Sequence, residues 1–92
     1  MRESTIEKSV CDHARANGCM VMKLAGPNQK GQPDRMFLKH GRVLFLEFKA
    51  PGKLPTALQE KWMRQLREQG FHAYACDSIQ NGIFNVDSLL LR

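Results

Sequence analysis

The chain has 92 residues, enough for one domain over 1–92 with a modest core. Fourteen Lys and Arg against nine acidic residues give a net charge of +5, spread from Arg2 to Arg92 with no block. A diffuse positive excess fits a polyanionic partner such as nucleic acid, and it excludes a basic tail as the source of the charge. No apolar run has the length of a membrane span or the form of a signal peptide. Three cysteines, Cys11, Cys19 and Cys76, lack paired metal-ligand spacing. They read as small buried apolar residues in a reducing intracellular setting.

The first helix is expected from Thr5 to Ala16. Ser4 through Glu7 matches a capping box, and Asn17-Gly18 supplies the stop. Cys19 to Leu24 follows as a short strand, and the Gly- and Pro-bearing segment 25–33 as a loop. Asp34 to Lys39 and Arg42 to Ala50 are strands joined by a two-residue His40-Gly41 hairpin turn. The second is apolar at both parities, the pattern of a strand covered on both faces. Pro51 to Pro55 breaks the chain. Thr56 caps a helix over 57–69 with Gln59 at the capping-box position, and Gly70 ends it. Phe71 to Cys76 is a fourth strand. After Asp77 the pattern weakens: Ser78 starts a helical turn, and 86–91 fits a helix or a strand. The order is α-β-β-β-α-β, an α/β fold. Strands 43–50 and 71–76 are parallel across a right-handed crossover, so the four-stranded sheet is mixed and flanked by helices. Whether the helices share a face is left open.

The chemistry centres on Glu47, a carboxylate in an otherwise apolar strand, where its charge needs compensation. Side chains alternate along a strand, so Lys49 emerges on the same face. A tight hairpin at 40–41 pairs residues whose numbers sum to about 81, which sets Asp34 opposite Glu47 (34 + 47 = 81). Two opposed carboxylates repel unless a cation lies between them, and hard oxygen donors suit Mg²⁺ or Mn²⁺. Glu7 and Gln59 each fall inside the apolar stripe of their helix near its first turn, where a cap and a site residue are both reasonable readings. Glu7, Asp34, Glu47, Lys49 and Gln59 form a set suited to phosphodiester hydrolysis. Asp34 and Glu47, joined by the backbone carbonyl of Phe48, would hold the metal. Lys49 would orient or activate the attacking water and stabilise developing negative charge, Glu7 would bind a metal-coordinated water or a second ion, and Gln59 would position the phosphate, the water or Lys49. Lys30, Arg35 and Lys53 flank the site and are candidates for phosphate contacts. Trp62 reads as core.

Pro33-Asp34 followed by Glu47-Phe48-Lys49 resembles the PD-(D/E)XK nuclease signature. The wider stretches Gly31-Gln-Pro-Asp-Arg35, Phe45-Leu-Glu-Phe-Lys-Ala-Pro-Gly52 and Gln59-Glu-Lys-Trp62 resemble the virus-type replication-repair nuclease (VRR-NUC) domain. That resemblance implies a restriction-endonuclease-like core and Mg²⁺- or Mn²⁺-dependent DNA cleavage in a bacterial or phage-infected cell, with Glu7, Asp34, Glu47, Lys49 and Gln59 at site positions. It also implies a homodimer acting on branched, Holliday-junction-like DNA, with no organic cofactor and no membrane. The alternative is a non-catalytic DNA-binding or interaction module on the same fold.

Overall fold

A computed structural model describes residues 1–24 and 30–92; the first part of the expected loop, 25–29, lies outside them. The chain runs α1 (Glu3–Ala16), β1 (Met20–Lys23), β2 (Arg35–Lys39), β3 (Arg42–Phe48), α2 (Ala57–Glu68), β4 (His72–Cys76) and α3 (Ile79–Leu90). The sheet order is β1-β2-β3-β4, antiparallel across the first two pairings and parallel across β3 and β4. This is the mixed sheet expected from the hairpin and the crossover.

The hairpin turns at His40 and Gly41, both with positive φ (49° and 80°). That combination matches the right-handed twist of the strands it joins. It sets a register of Arg35 with Leu46 and Phe37 with Leu44, each pair summing to 81. The α1 and α2 stops work as the glycines suggested. At the end of α1, Cys19 N–H donates to Ala14 O and Gly18 N–H to Arg15 O, with Gly18 at φ 86°. At the end of α2, Phe71 donates to Leu66 and Gly70 to Arg67 in the same pattern. Both are Schellman closures, which satisfy carbonyls the helix leaves free.

The start of α1 differs from expectation. The helix begins at Glu3, with Arg2 as its first flanking residue and no side-chain cap. Ser4 therefore lies inside the helix, and the Ser4–Glu7 box does not form. Glu7 is held elsewhere, as described below, and Glu3 in the first turn suits the positive end of the helix dipole. Beyond Asp77 the chain forms one twelve-residue helix, capped by Ser78, whose side chain accepts from Asn81 N–H. Asn81, Gly82 and Asn85 weaken its intrinsic propensity, so packing decides it.

That packing explains the layers. Leu44, Leu46 and Phe48 of β3, Phe37 of β2 and Cys76 of β4 face one side. There they meet Ile6, Val10, Cys11 and Ala14 of α1 and Val86 and Leu90 of α3 in one buried core. Gly82 lets α3 cross α1 closely: a Cβ there would lie 2.4 Å from Val10 Cγ2. The three cysteines are free and buried, as expected of apolar thiols, and burial pushes Cys11 and Cys76 up. Among the described residues, helix α2 is the helix on the opposite face. Of its stripe only Met63 is buried; Leu58 is exposed, and Trp62 and Leu66 are half-buried. Trp62 is thus only partly core, because among the described residues no second helix closes that side. Among the described residues, no helix is long and apolar enough to cross a membrane.

Candidate active site

The candidate side chains Asp34, Glu47, Lys49 and Gln59 gather where β2 begins and β3 ends, on the sheet face that carries α2. Asp34 precedes β2 and continues its ladder, its N–H donating to Leu46 O at 3.1 Å. One carboxylate oxygen of Asp34 accepts from the Phe48 N–H at 2.8 Å, so the side chain is tied across to the strand bearing Glu47. The segment leading to Asp34 is pinned by Gly31, at φ 83°, whose backbone nests on α2. A Cβ there would approach Leu58 Cγ to 2.5 Å and Trp62 Cδ1 to 2.9 Å. Glycine at this position is a packing requirement as well as a conformational one.

Glu47 is 3% exposed and is the buried charged residue of the described chain. Its Oε2 accepts from Gln59 Nε2 at 3.0 Å and lies 3.8 Å from Lys49 Nζ. Its Oε1 is buried without a hydrogen-bond partner. Burial raises the Glu47 pKa to about 8, with the Asp34 charge adding to the rise and Lys49 opposing it. Burial also raises Asp34, partly offset by the Phe48 amide. The two carboxyls are a coupled acid pair held in one place, which matches the opposition read from the hairpin arithmetic.

Gln59 reconciles the two readings its position allowed. Its Oε1 accepts from Thr56 N–H at 2.9 Å to complete the capping box, while its Nε2 reaches Glu47. The amide has a donor end and an acceptor end, and both are used. Lys49 is largely buried beside Glu47, and the turn after it is held by Gly52 N–H donating to Asp77 Oδ2.

Helix α1 contributes differently from expectation. Glu7 Oε2 accepts from Arg35 Nε at 2.6 Å, in a pair only 23% and 20% exposed. Arg35, expected to contact phosphate, faces α1, on the other side of the sheet from Asp34, and donates its Nε–H to Glu7. The helix carboxylate that joins Asp34 and Glu47 is instead Glu3; oxygens of the three lie within 4.8 Å of one another. Sequence reasoning missed Glu3 because it preceded the presumed cap, Ser4. The available signal was its spacing, four residues before Glu7 on one helical face. Lys30 and Lys53 are both exposed.

Three carboxylates gathered together, one of them carrying a buried oxygen without a hydrogen-bond partner, with an ammonium group alongside, fit a hard divalent cation in both donor type and charge. No family model matches the sequence. A curated relative, "Putative nuclease p44" of Acyrthosiphon pisum secondary endosymbiont phage 1, is 35% identical over 79 residues, covering 85% of each chain. A solved structure described as a VRR_NUC domain superposes with a TM-score of 0.82 at 23% identity, over 92% of this chain and 94% of the other. With a relative of that similarity over most of its length, and with that fold, the chain belongs to the VRR-NUC domain family of nucleases.

Proposed function

We propose that this protein is a divalent-metal-dependent DNA endonuclease that hydrolyses phosphodiester bonds at the Asp34–Glu47–Lys49 site. The observation that carries the proposal is the buried Glu47 carboxylate, whose Oε1 has no partner and whose neighbours Asp34 and Glu3 are also acidic. A buried carboxylate oxygen without a donor, set beside like charge, is accounted for by a bound cation more readily than by a purely structural network.

Asp34 and Glu47, with the Phe48 carbonyl, would hold Mg²⁺ or Mn²⁺, which supplies a lowered water pKa and neutralises phosphate charge. Gln59 fixes the Glu47 rotamer by donating to Oε2, so that Oε1 is the oxygen left to coordinate. Lys49 Nζ, a donor without acceptor capacity, orients the attacking water and stabilises negative charge developing on the phosphate. Lys30 and Lys53 are exposed on flanking segments and free to lie along the DNA backbone, whereas Arg35 is committed to Glu7. A homodimer presenting two such sites to branched DNA is the corresponding assembly. The small size of the chain and the exposed Met20 and Met22 on β1, an edge strand, support it.

The test is incubation with supercoiled plasmid, four-way junctions, flaps and single strands, with and without Mn²⁺, with light scattering for the oligomeric state. Cutting should require the ion. Lys49→Ala and Asp34→Asn should each lower it by at least about 10²-fold while the circular dichroism spectrum is unchanged. Cutting that survives both substitutions places the chemistry elsewhere, and DNA binding without any cutting favours a non-catalytic module.

A further inference from the structure

We infer that Leu54 is an apolar wedge that enters between neighbouring bases of the DNA substrate, and that it favours DNA whose stacking is already interrupted, as at a junction or a flap. The inference rests on the nuclease reading above and names the feature of the substrate that the surface beside the site selects.

Leu54 is 84% exposed, more than any other large apolar side chain among the described residues. A single surface leucine by itself means little; this one stands on a rigid mount. Pro51 and Gly52 form the centre of a tight turn, in which Lys53 N–H donates to Ala50 O at 3.0 Å and Gly52 has φ 79°. Proline followed by a positive-φ glycine is the type II pattern. Gly52 N–H also donates to Asp77 Oδ2 at 3.1 Å, which ties the turn to the end of β4. On the other side, Pro55 restricts Leu54 to extended backbone, and Thr56 caps α2. An apolar group held in water by a stiff loop loses little further freedom when it binds.

The position of the loop supplies the occupant. Leu54 lies five residues after Lys49 and five before Gln59. Even at full extension it is within about 17 Å of either. A DNA strand advances about 3.4 Å per base, so the side chain lies within about five base steps of a phosphate held at the site. Residues 51–56 carry no acidic side chain, and the exposed Lys53 directly precedes Leu54. A cation for the phosphate backbone beside an apolar group for the stack is the combination found in proteins that kink DNA. Entering an intact stack requires unstacking it, and that cost is smallest where the step is already open.

The experiment uses the cutting-deficient Asp34→Asn protein as parent, alone and with Leu54→Ser or Leu54→Met added. Affinity is measured by anisotropy on a continuous duplex and on four-way junctions carrying 2-aminopurine at successive positions from the branch. The parent should prefer the junction and raise the fluorescence of 2-aminopurine at one position, the mark of an unstacked base. Leu54→Ser should lose that rise, weaken junction binding by about tenfold and duplex binding by no more than about twofold. Its thermal midpoint should be unchanged, because the side chain is exposed. Leu54→Met, a wedge of similar volume, should keep both the rise and the affinity. Leu54→Ser binding both DNAs as the parent does overturns the inference, and so does an equal loss on both. A parent that is dimeric by light scattering and a Leu54→Ser protein that is monomeric would assign the loop to a second copy of the chain, which also overturns it. In each of these cases Mn²⁺-dependent cutting by the native protein keeps the nuclease reading standing. A native protein that neither binds nor cuts either DNA sinks both.

Discussion

Glu47 is expensive where it stands. Desolvation and the neighbouring Asp34 hold its pKa near 8, far above the ordinary carboxylate value. The folded state thus favours the protonated acid, whereas the unfolded chain releases that proton near 4.5. Stability from this group is fully present below about pH 4.5 and is lost as pH rises through about 8, by up to about 1.4 kcal/mol per pH unit in the window. The metal-free protein should therefore melt lower at pH 8 than at pH 5. Glu47→Gln should flatten that fall and raise the pH 8 midpoint while destroying the site. Melting curves across pH 4–9 for both proteins check this; parallel profiles would mean that Glu47 is not strained. Glu47 itself was legible in the sequence as a charge out of place. Glu3 was not, because an exposed acidic residue ahead of a plausible cap looks like ordinary chain end.

The elements were legible wherever their signals were local. Glycine at positive φ ended α1 and α2, His40-Gly41 set the hairpin, and the hairpin register followed from it. Helix α3 was not, since its Asn and Gly content argues against a helix until Val86 and Leu90 find α1 and the sheet. Gly82 shows why that composition is retained. Alanine normally favours a helix interior by about 1 kcal/mol over glycine. Here a Cβ would fall 2.4 Å from Val10 and 2.9 Å from Cys76 Sγ, and the resulting overpacking outweighs the gain. Gly82→Ala should destabilise by about 1–3 kcal/mol, a fall in melting temperature of roughly 4–8 °C per kcal/mol. A midpoint equal to or above wild type would show that α1 and α3 are free to move apart.

Over the whole molecule, the layers place α1 and α3 on one face and α2 alone on the other, where the acid pair, Lys49 and Gln59 lie. The net charge of +5 belongs to this scale too, because the proposed DNA binding would be dominated by phosphate neutralisation and would fall with salt. With the cutting-deficient Asp34→Asn protein on duplex DNA, Lys30→Gln and Lys53→Gln should each lower the magnitude of the slope of log affinity against log salt by about 0.9. An unchanged slope for both would remove these residues from the DNA path. Arg35→Gln should instead act on stability, because its charge is spent inside the fold.

Local chemistry in the sequence determined the strand order of the hairpin, the Asp34–Glu47 opposition and the Lys49 neighbour, since alternation along a strand and a two-residue turn leave little freedom. Tertiary structure alone decided which helix carboxylate reaches the acid pair, because Glu3 and Glu7 are equivalent by helical spacing and only the presence of Arg35 across the gap tells them apart. It also decided that α3 exists, since that helix depends on a surface to pack against, and such a surface is a property of the assembled sheet rather than of residues 79–90.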